Sequence, residues 1–260
     1  MASLLLEPMF ITFRQAGVAV FLAALLLTAC VPNKAWRIHY TPGQPPAIDP
    51  PLFELASTVD CRETPAPSAL PSAYRLAFIE FDDRGEFFDR GQLTQALQTI
   101  AEVKGRASAS HPAAVVLFVH GWQNNASDRA GNVAGFRKML TCLGPQFNPA
   151  GVAPEDTRVL GIYIGWRGQV VKAPVATELT FWNRRNESES LPGAHVVETL
   201  LSVMKAVKGP DFSGNGVSLV IGHSFGGGLL ETALTQTLEN VVLDTPSGQP
   251  IRWPADLVVL

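Results

Sequence analysis

The sequence predicts an α/β fold, a mostly parallel sheet with helices on both faces. Three observations predict it. Short apolar runs without alternation recur along the chain, as strands buried on both faces require. Between them lie segments whose apolar residues repeat every three or four positions, the helical period. The two kinds alternate as βαβαβαβ, the order that builds a parallel sheet by helical crossovers.

The elements follow in order. Tyr74-Arg75-Leu76-Ala77-Phe78-Ile79-Glu80-Phe81 reads as the first core strand. Asp83-Arg84-Gly85 is a turn, from which Glu86-Phe87-Phe88 pairs back as a hairpin. Gln92 to Val103 is a helix with Leu93, Ala96, Leu97 and Ile100 on one face. Ala114 to Val119 is a strand, and Val133 to Leu143 a helix with Asp128 or Asn132 near its start. Arg158 to Ile164 is a strand, and Pro192 to Val207 a long helix with Val196, Leu200, Val203 and Val207 along one side. Ser218 to Ile221 is a strand, Gly227 to Leu238 a helix, and Ala255 to Leu260 opens a last strand. Ligands of such sheets bind outside the carboxyl ends of the strands. His120, Gly165 and Ser224 all fall there.

One of those ends carries Gly222-His223-Ser224-Phe225-Gly226. G-x-S-x-G is a weak pattern alone, but between a strand and a helix it describes a nucleophile elbow. The glycines leave room for a tight, strained turn that lifts the serine hydroxyl off the sheet. No G-x-G-x-x-G or G-K-[ST] pattern is present there, which argues against a phosphate-binding turn. An elbow serine needs two backbone N–H groups to hold an oxyanion, one from the residue after it and one from the loop after an earlier central strand. Phe225 fits the first place, and Trp122 or its neighbour Gln123 the second, in His120-Gly121-Trp122-Gln123-Asn124-Asn125. His120 reads as a residue that orders this loop rather than one that moves a proton.

With these motifs in place, the stretch from about Tyr74 to Leu260 resembles the α/β-hydrolase superfamily. It is more closely similar to a group of bacterial α/β-hydrolase proteins through Phe118-Val119-His120-Gly121-Trp122, Gly161 to Gly168, Thr180-Phe181-Trp182-Asn183-Arg184 and Ile221 to Gly227. The resemblance implies an α/β-hydrolase fold and hydrolysis of an ester through an acyl-enzyme on Ser224, without cofactor or metal. The resemblance does not identify the substrate; a small-molecule ester or a lipid-like one is expected. Gln123, Trp166 and Arg167 are the expected pocket residues. Trp166, Arg167, Phe181, Trp182, Arg184 and Arg185 lie in an excursion between a strand and the long helix. They read equally as an aromatic wall of an acyl pocket or as a loop pinned to the surface.

The usual chain order then places an acid and a histidine after the serine. No histidine follows Ser224; Asp244 and Asp256 do, but away from strand carboxyl ends. His39, His111 and His195 fall in other contexts, and His223 is held inside the elbow. The expectation is that the acid and base lie beyond Leu260 in a longer reading frame, with the C-terminal strands of the fold. The alternative function is a non-catalytic envelope lipoprotein of this fold that binds a ligand or partner.

The N-terminus sets the expected compartment. Ala16 to Leu27 is an unbroken apolar run preceded by Arg14, the length of a signal-peptide core and short for a membrane span. It ends in Leu27-Thr28-Ala29-Cys30, which resembles a bacterial lipobox. Residues 1–29 are thus expected to be a lipoprotein signal peptide and Cys30 the lipid attachment site. Val31 is not an aspartate, so the resemblance implies the outer membrane, facing the periplasm. Glu7 is unusual in such a leader, and a start at Met9 gives a more typical one. Residues 30–71 hold nine prolines, from Pro32 to Pro71, and read as an extended tether that stands off the membrane or lies along the domain. Residues 72–260 are the domain. Besides Cys30 there are only Cys61 and Cys142, and an oxidising periplasm permits them to pair. A net charge of −3 with no basic block argues against nucleic acid as a partner.

Overall fold

A computed structural model describes residues 33–39, 47–48, 52–55, 73–149, 152–168 and 193–260. Its centre is a sheet whose strands are β3 (Leu52–Leu55), β4 (Ala73–Glu80), β5 (Ala114–Val119), β6 (Val159–Gly165), β7 (Val217–Gly222) and β8 (Leu257–Val259). They lie side by side as β3-β4-β6-β5-β7-β8. The five from β4 to β8 are mutually parallel, and β3 pairs antiparallel at the edge. Two short strands, β1 (Ile38–His39) and β2 (Ala47–Ile48), pair with each other.

Every residue of β4, β5 and β6 is buried. Burial on both faces is why these strands are unbroken apolar runs rather than alternating ones. Alternate side chains then feed two cores. Ala77, Ile79, Val115, Leu117, Leu160, Ile162 and Val220 meet α1 (Gly91–Gly105), α3 (Ala194–Lys208) and α4 (Phe225–Asp244) on one face. Tyr74, Leu76, Phe78, Val116, Phe118 and Tyr163 meet Val133, Phe136 and Leu140 of α2 (Gly131–Phe147) on the other. Gly161 makes the second packing close: a Cβ there would lie 2.4 Å from Leu140 Cδ1. Among the described residues no helix is long and apolar enough to cross a membrane.

The α/β layering and parallel sheet expected from the sequence are present. The expected hairpin is present, and one helix boundary is corrected. The hairpin at Glu86–Phe88 is short: Phe87 bridges Phe81 antiparallel, Asp82 N donates to Glu86 O and Phe88 N donates to Glu80 O, before the chain turns into α1. The helix after the elbow starts at Phe225, not Gly227, and runs on to Asp244. Part of the Pro-rich stretch is built into the domain: β3 pairs with β4, and Trp36 and Arg37 hydrogen-bond to Glu80. The leader 1–29, Cys30, Cys61 and the aromatic excursion at 169–192 lie outside the described residues. Cys142 is disulfide-bonded.

Candidate functional site

The register fixes where the site lies. Val119 is level with Ile164 and with Gly222, and Glu80 is level with Gly165. The loops after β5, β6 and β7 therefore leave the sheet together at its carboxyl end.

The turn after β7 is the tightest of the three. Ser224 has φ 56° and ψ −121°, a conformation that an L residue other than glycine rarely adopts. Its neighbours are glycines for a spatial reason. A Cβ on Gly226 would sit 2.4 Å from Val119 O and 2.5 Å from His120 O, and one on Gly222 would sit 2.6 Å from Gly227 Cα. Backbone on both sides cannot move aside, so only glycine lets α4 start this close to the sheet. The turn is closed by hydrogen bonds from Gly226 N to His223 O and from Gly227 N to Ser224 O. Ser224 ends up exposed, on a rigid strand-to-helix junction.

The loop after β5 rests on that turn. A Cβ on Gly121 would meet His223 O at 2.6 Å and Ser224 Cβ at 2.9 Å. Gly121 N donates to Asn132 Oδ1 and Asn132 N donates to Asn124 Oδ1, so the start of α2 holds the loop at both ends. The Trp122 and Phe225 rings pack together, 6.0 Å between centroids. Gln123 has φ 60°, a second strained residue, and its N–H donates to Gly168 O in the loop after β6.

His120 joins the second loop to the third. It is fully buried, with its ring stacked on Trp166 at 5.4 Å and 8° and on Tyr163 at 5.6 Å. Trp166 N donates to His120 Nε2, and Trp166 Nε1 donates to His120 O. A backbone N–H needs a lone pair at Nε2, so the ring proton is on Nδ1, which donates to Gly121 O at 2.9 Å. Burial pushes the His120 pKa down to about 4, aided by the neighbouring His223, so at neutral pH the ring is uncharged. It acts as a loop post.

Trp122, Gln123, Phe225 and Ser224 are thus brought together around one turn. Trp166 is only 3 % exposed and serves as the partner of His120. Arg167 turns towards the β4–α1 connection, where it ion-pairs with Asp83 at 2.7 Å. Asp256 sits at the amino end of β8, binding Lys208 Nζ at 2.6 Å and Ser218 N at 2.8 Å. His195, at the start of α3, pairs with Glu86 at 3.0 Å and Glu198 at 3.3 Å. Among the described residues, no hydrogen bond joins a histidine to the Ser224 hydroxyl, and no cluster of His, Cys, Asp or Glu suits a metal ion.

Sequence reasoning passed over Glu80. This carboxylate ends β4, is 2 % exposed, and accepts the backbone N–H groups of Trp36 and Arg37 at 2.7 and 2.8 Å. Gln92 brackets it, accepting from Glu80 N at 2.8 Å and donating Nε2 to Oε2 at 3.3 Å. Burial raises its pKa against these hydrogen bonds. The one sequence signal was a charged residue inside an otherwise apolar strand.

No protein-family model matches this chain, and no match was found among curated proteins or solved structures.

Proposed function

We propose that this protein is a membrane-anchored serine hydrolase of the α/β-hydrolase type, cleaving an ester by acyl transfer with Ser224 as nucleophile. The observation that carries the reading is the backbone of Ser224. A residue held at φ 56°, ψ −121° costs about 1–3 kcal/mol, and such strain persists where the surrounding structure enforces it. Here two glycines without room for a Cβ enforce it, and the product is an exposed hydroxyl at the carboxyl end of a central parallel strand. The neighbouring order β6-β5-β7-β8, with the elbow after β7 and a glycine loop after β5, supports the hydrolase form of the α/β fold.

In this reading Ser224 Oγ adds to the ester carbonyl and its proton passes to a base that the described residues do not bring to it. The carbonyl oxygen, now an anion, takes hydrogen bonds from Phe225 N–H and Trp122 N–H. The neighbouring Gln123 N–H is given to Gly168 O. Collapse expels the alcohol, which leaves with the proton, and water repeats the sequence on the acyl-enzyme.

The second reading, a non-catalytic lipoprotein that binds a ligand, is favoured by the lack of a histidine on the Ser224 hydroxyl among the described residues. A fluorophosphonate probe separates the two. In native membranes it should label the protein at Ser224 and fail to label Ser224→Ala. An unlabelled wild type that is folded by its melting behaviour leaves the binding reading.

A further inference from the structure

The segment Asn33–Arg37 is fastened across the carboxyl end of the sheet, beside the loops that surround Ser224. Two of its backbone N–H groups are held by the buried Glu80 carboxylate. Arg37 is itself buried, with its guanidinium 3.8 Å from the Phe78 ring centroid. Its Nε donates to Ala126 O at 2.6 Å, and it ion-pairs with Asp128 at 2.8 Å. Asn33, Lys34 and Trp36 share the walls of a water-sized cavity with Asn124 and Asn125 of the loop after β5 and with Trp166 and Gly168 of the loop after β6. From here the chain passes through β1 and β2 to β3, which runs antiparallel to β4 and so towards the amino end. The attachment at the carboxyl end therefore comes first.

That order matters for an anchor at Cys30. Were residues 30–71 a free, extended Pro-rich tether, they would reach up to about 130 Å at about 3.1 Å per residue, and the domain would tumble above the membrane. Fastened at Trp36, the domain begins six positions after Cys30. Fully extended, those six steps span about 20 Å, less than the depth of the domain. The carboxyl end of the sheet cannot then turn away from the surface that holds the lipid.

We propose that the lipid anchor holds the Ser224 face of the domain against the membrane, and that the substrate is a long-chain acyl ester of that lipid surface. This rests on the hydrolase and lipobox readings. A soluble ester gains nothing from this arrangement. An ester in the bilayer surface gains proximity, since the nucleophile is held within a short reach of a two-dimensional pool of substrate.

The orientation is tested without reference to catalysis. Fluorophores are placed on the lipidated full chain at Arg84→Cys and Arg129→Cys, both exposed at the carboxyl end, and at Ala109→Cys and Asn215→Cys, both exposed at the amino end. In vesicles with nitroxide head-group lipids, quenching at Arg84 and Arg129 is expected to exceed that at Ala109 and Asn215 at least threefold. Insertion of twenty Gly/Ser residues between Val31 and Pro32 should abolish the difference. Equal quenching at both ends before insertion overturns the proposal. For the substrate, the same insertion should lower hydrolysis of a vesicle-borne diacyl lipid at least tenfold while leaving a short-chain soluble ester unchanged. Unchanged hydrolysis of both overturns the lipid-surface assignment. Failure of the fluorophosphonate label with asymmetric quenching intact instead removes the hydrolase reading and, with it, the substrate, leaving only the orientation.

Discussion

Neutral His120 makes the protein acid-sensitive in a way that can be calculated. In the unfolded chain a histidine titrates near 6.5; buried at position 120 it titrates at about 4. Between those values the unfolded state binds a proton that the folded state refuses. Stability is therefore fully present above about pH 6.5 and is lost as pH falls towards 4. At 1.36 kcal/mol per pH unit, the loss over that window is about 3 kcal/mol, a large share of an ordinary domain's stability. Protonation at Nε2 also breaks the bond from Trp166 N, so the loops after β5 and β6 should loosen first. The assay is urea unfolding at pH 7, 6, 5 and 4.5 for the wild type and for His120→Gln. The variant loses the stacking on Trp166 and Tyr163 and starts lower at pH 7. Its further decline between pH 7 and 4.5 should be shallower than the wild type's by about 2.4 kcal/mol, because all other titrating groups are shared. Glu80 shifts the opposite way, raised by burial, so its contribution falls as pH rises and cancels in the comparison. Parallel pH profiles for the two proteins would refute a buried neutral imidazole at this position.

Other outcomes follow from single contacts. Ser224→Gly should stabilise the fold by about 1 kcal/mol in chemical denaturation, since glycine occupies φ 56°, ψ −121° without strain, whereas Ser224→Ala should not. A Ser224→Gly protein less stable than Ser224→Ala would show that the turn is not strained. Gly226→Ala should cost about 3 kcal/mol, because both atoms its Cβ meets are backbone carbonyl oxygens; a loss below 1 kcal/mol in the same melts counts against the tight elbow. Asn148→Ala should cost about 1–3 kcal/mol by thermal melting. It leaves Arg158 N without its Asn148 acceptor and removes one of the side-chain donors to Ala73 O, which keeps Thr157 Oγ1.

The elements of the sheet were readable because periodicity is a local consequence of burial. Runs such as Ala114–Val119 carry no alternation since both faces are covered, and α3 shows its stripe since one face is. The elbow was readable for a similar reason: a turn that leaves no room for a Cβ writes glycines at fixed offsets from the serine. The start of α4 differs from the expectation because element ends depend on which backbone groups find partners across the fold.

Sequence by itself determined the α/β class, the strand order along the chain and the serine at a strand end, all consequences of residue types within a few positions of one another. Tertiary structure decided what those residues meet. It made His120 a neutral post by burying it between Tyr163 and Trp166, and it committed Gln123 N–H to Gly168. It also took Arg167 to Asp83 and fastened Trp36 and Arg37 to Glu80, 43 and more residues away. Those partners are far apart in sequence, and a pairing whose strength depends on exclusion from water leaves no periodic mark in the chain.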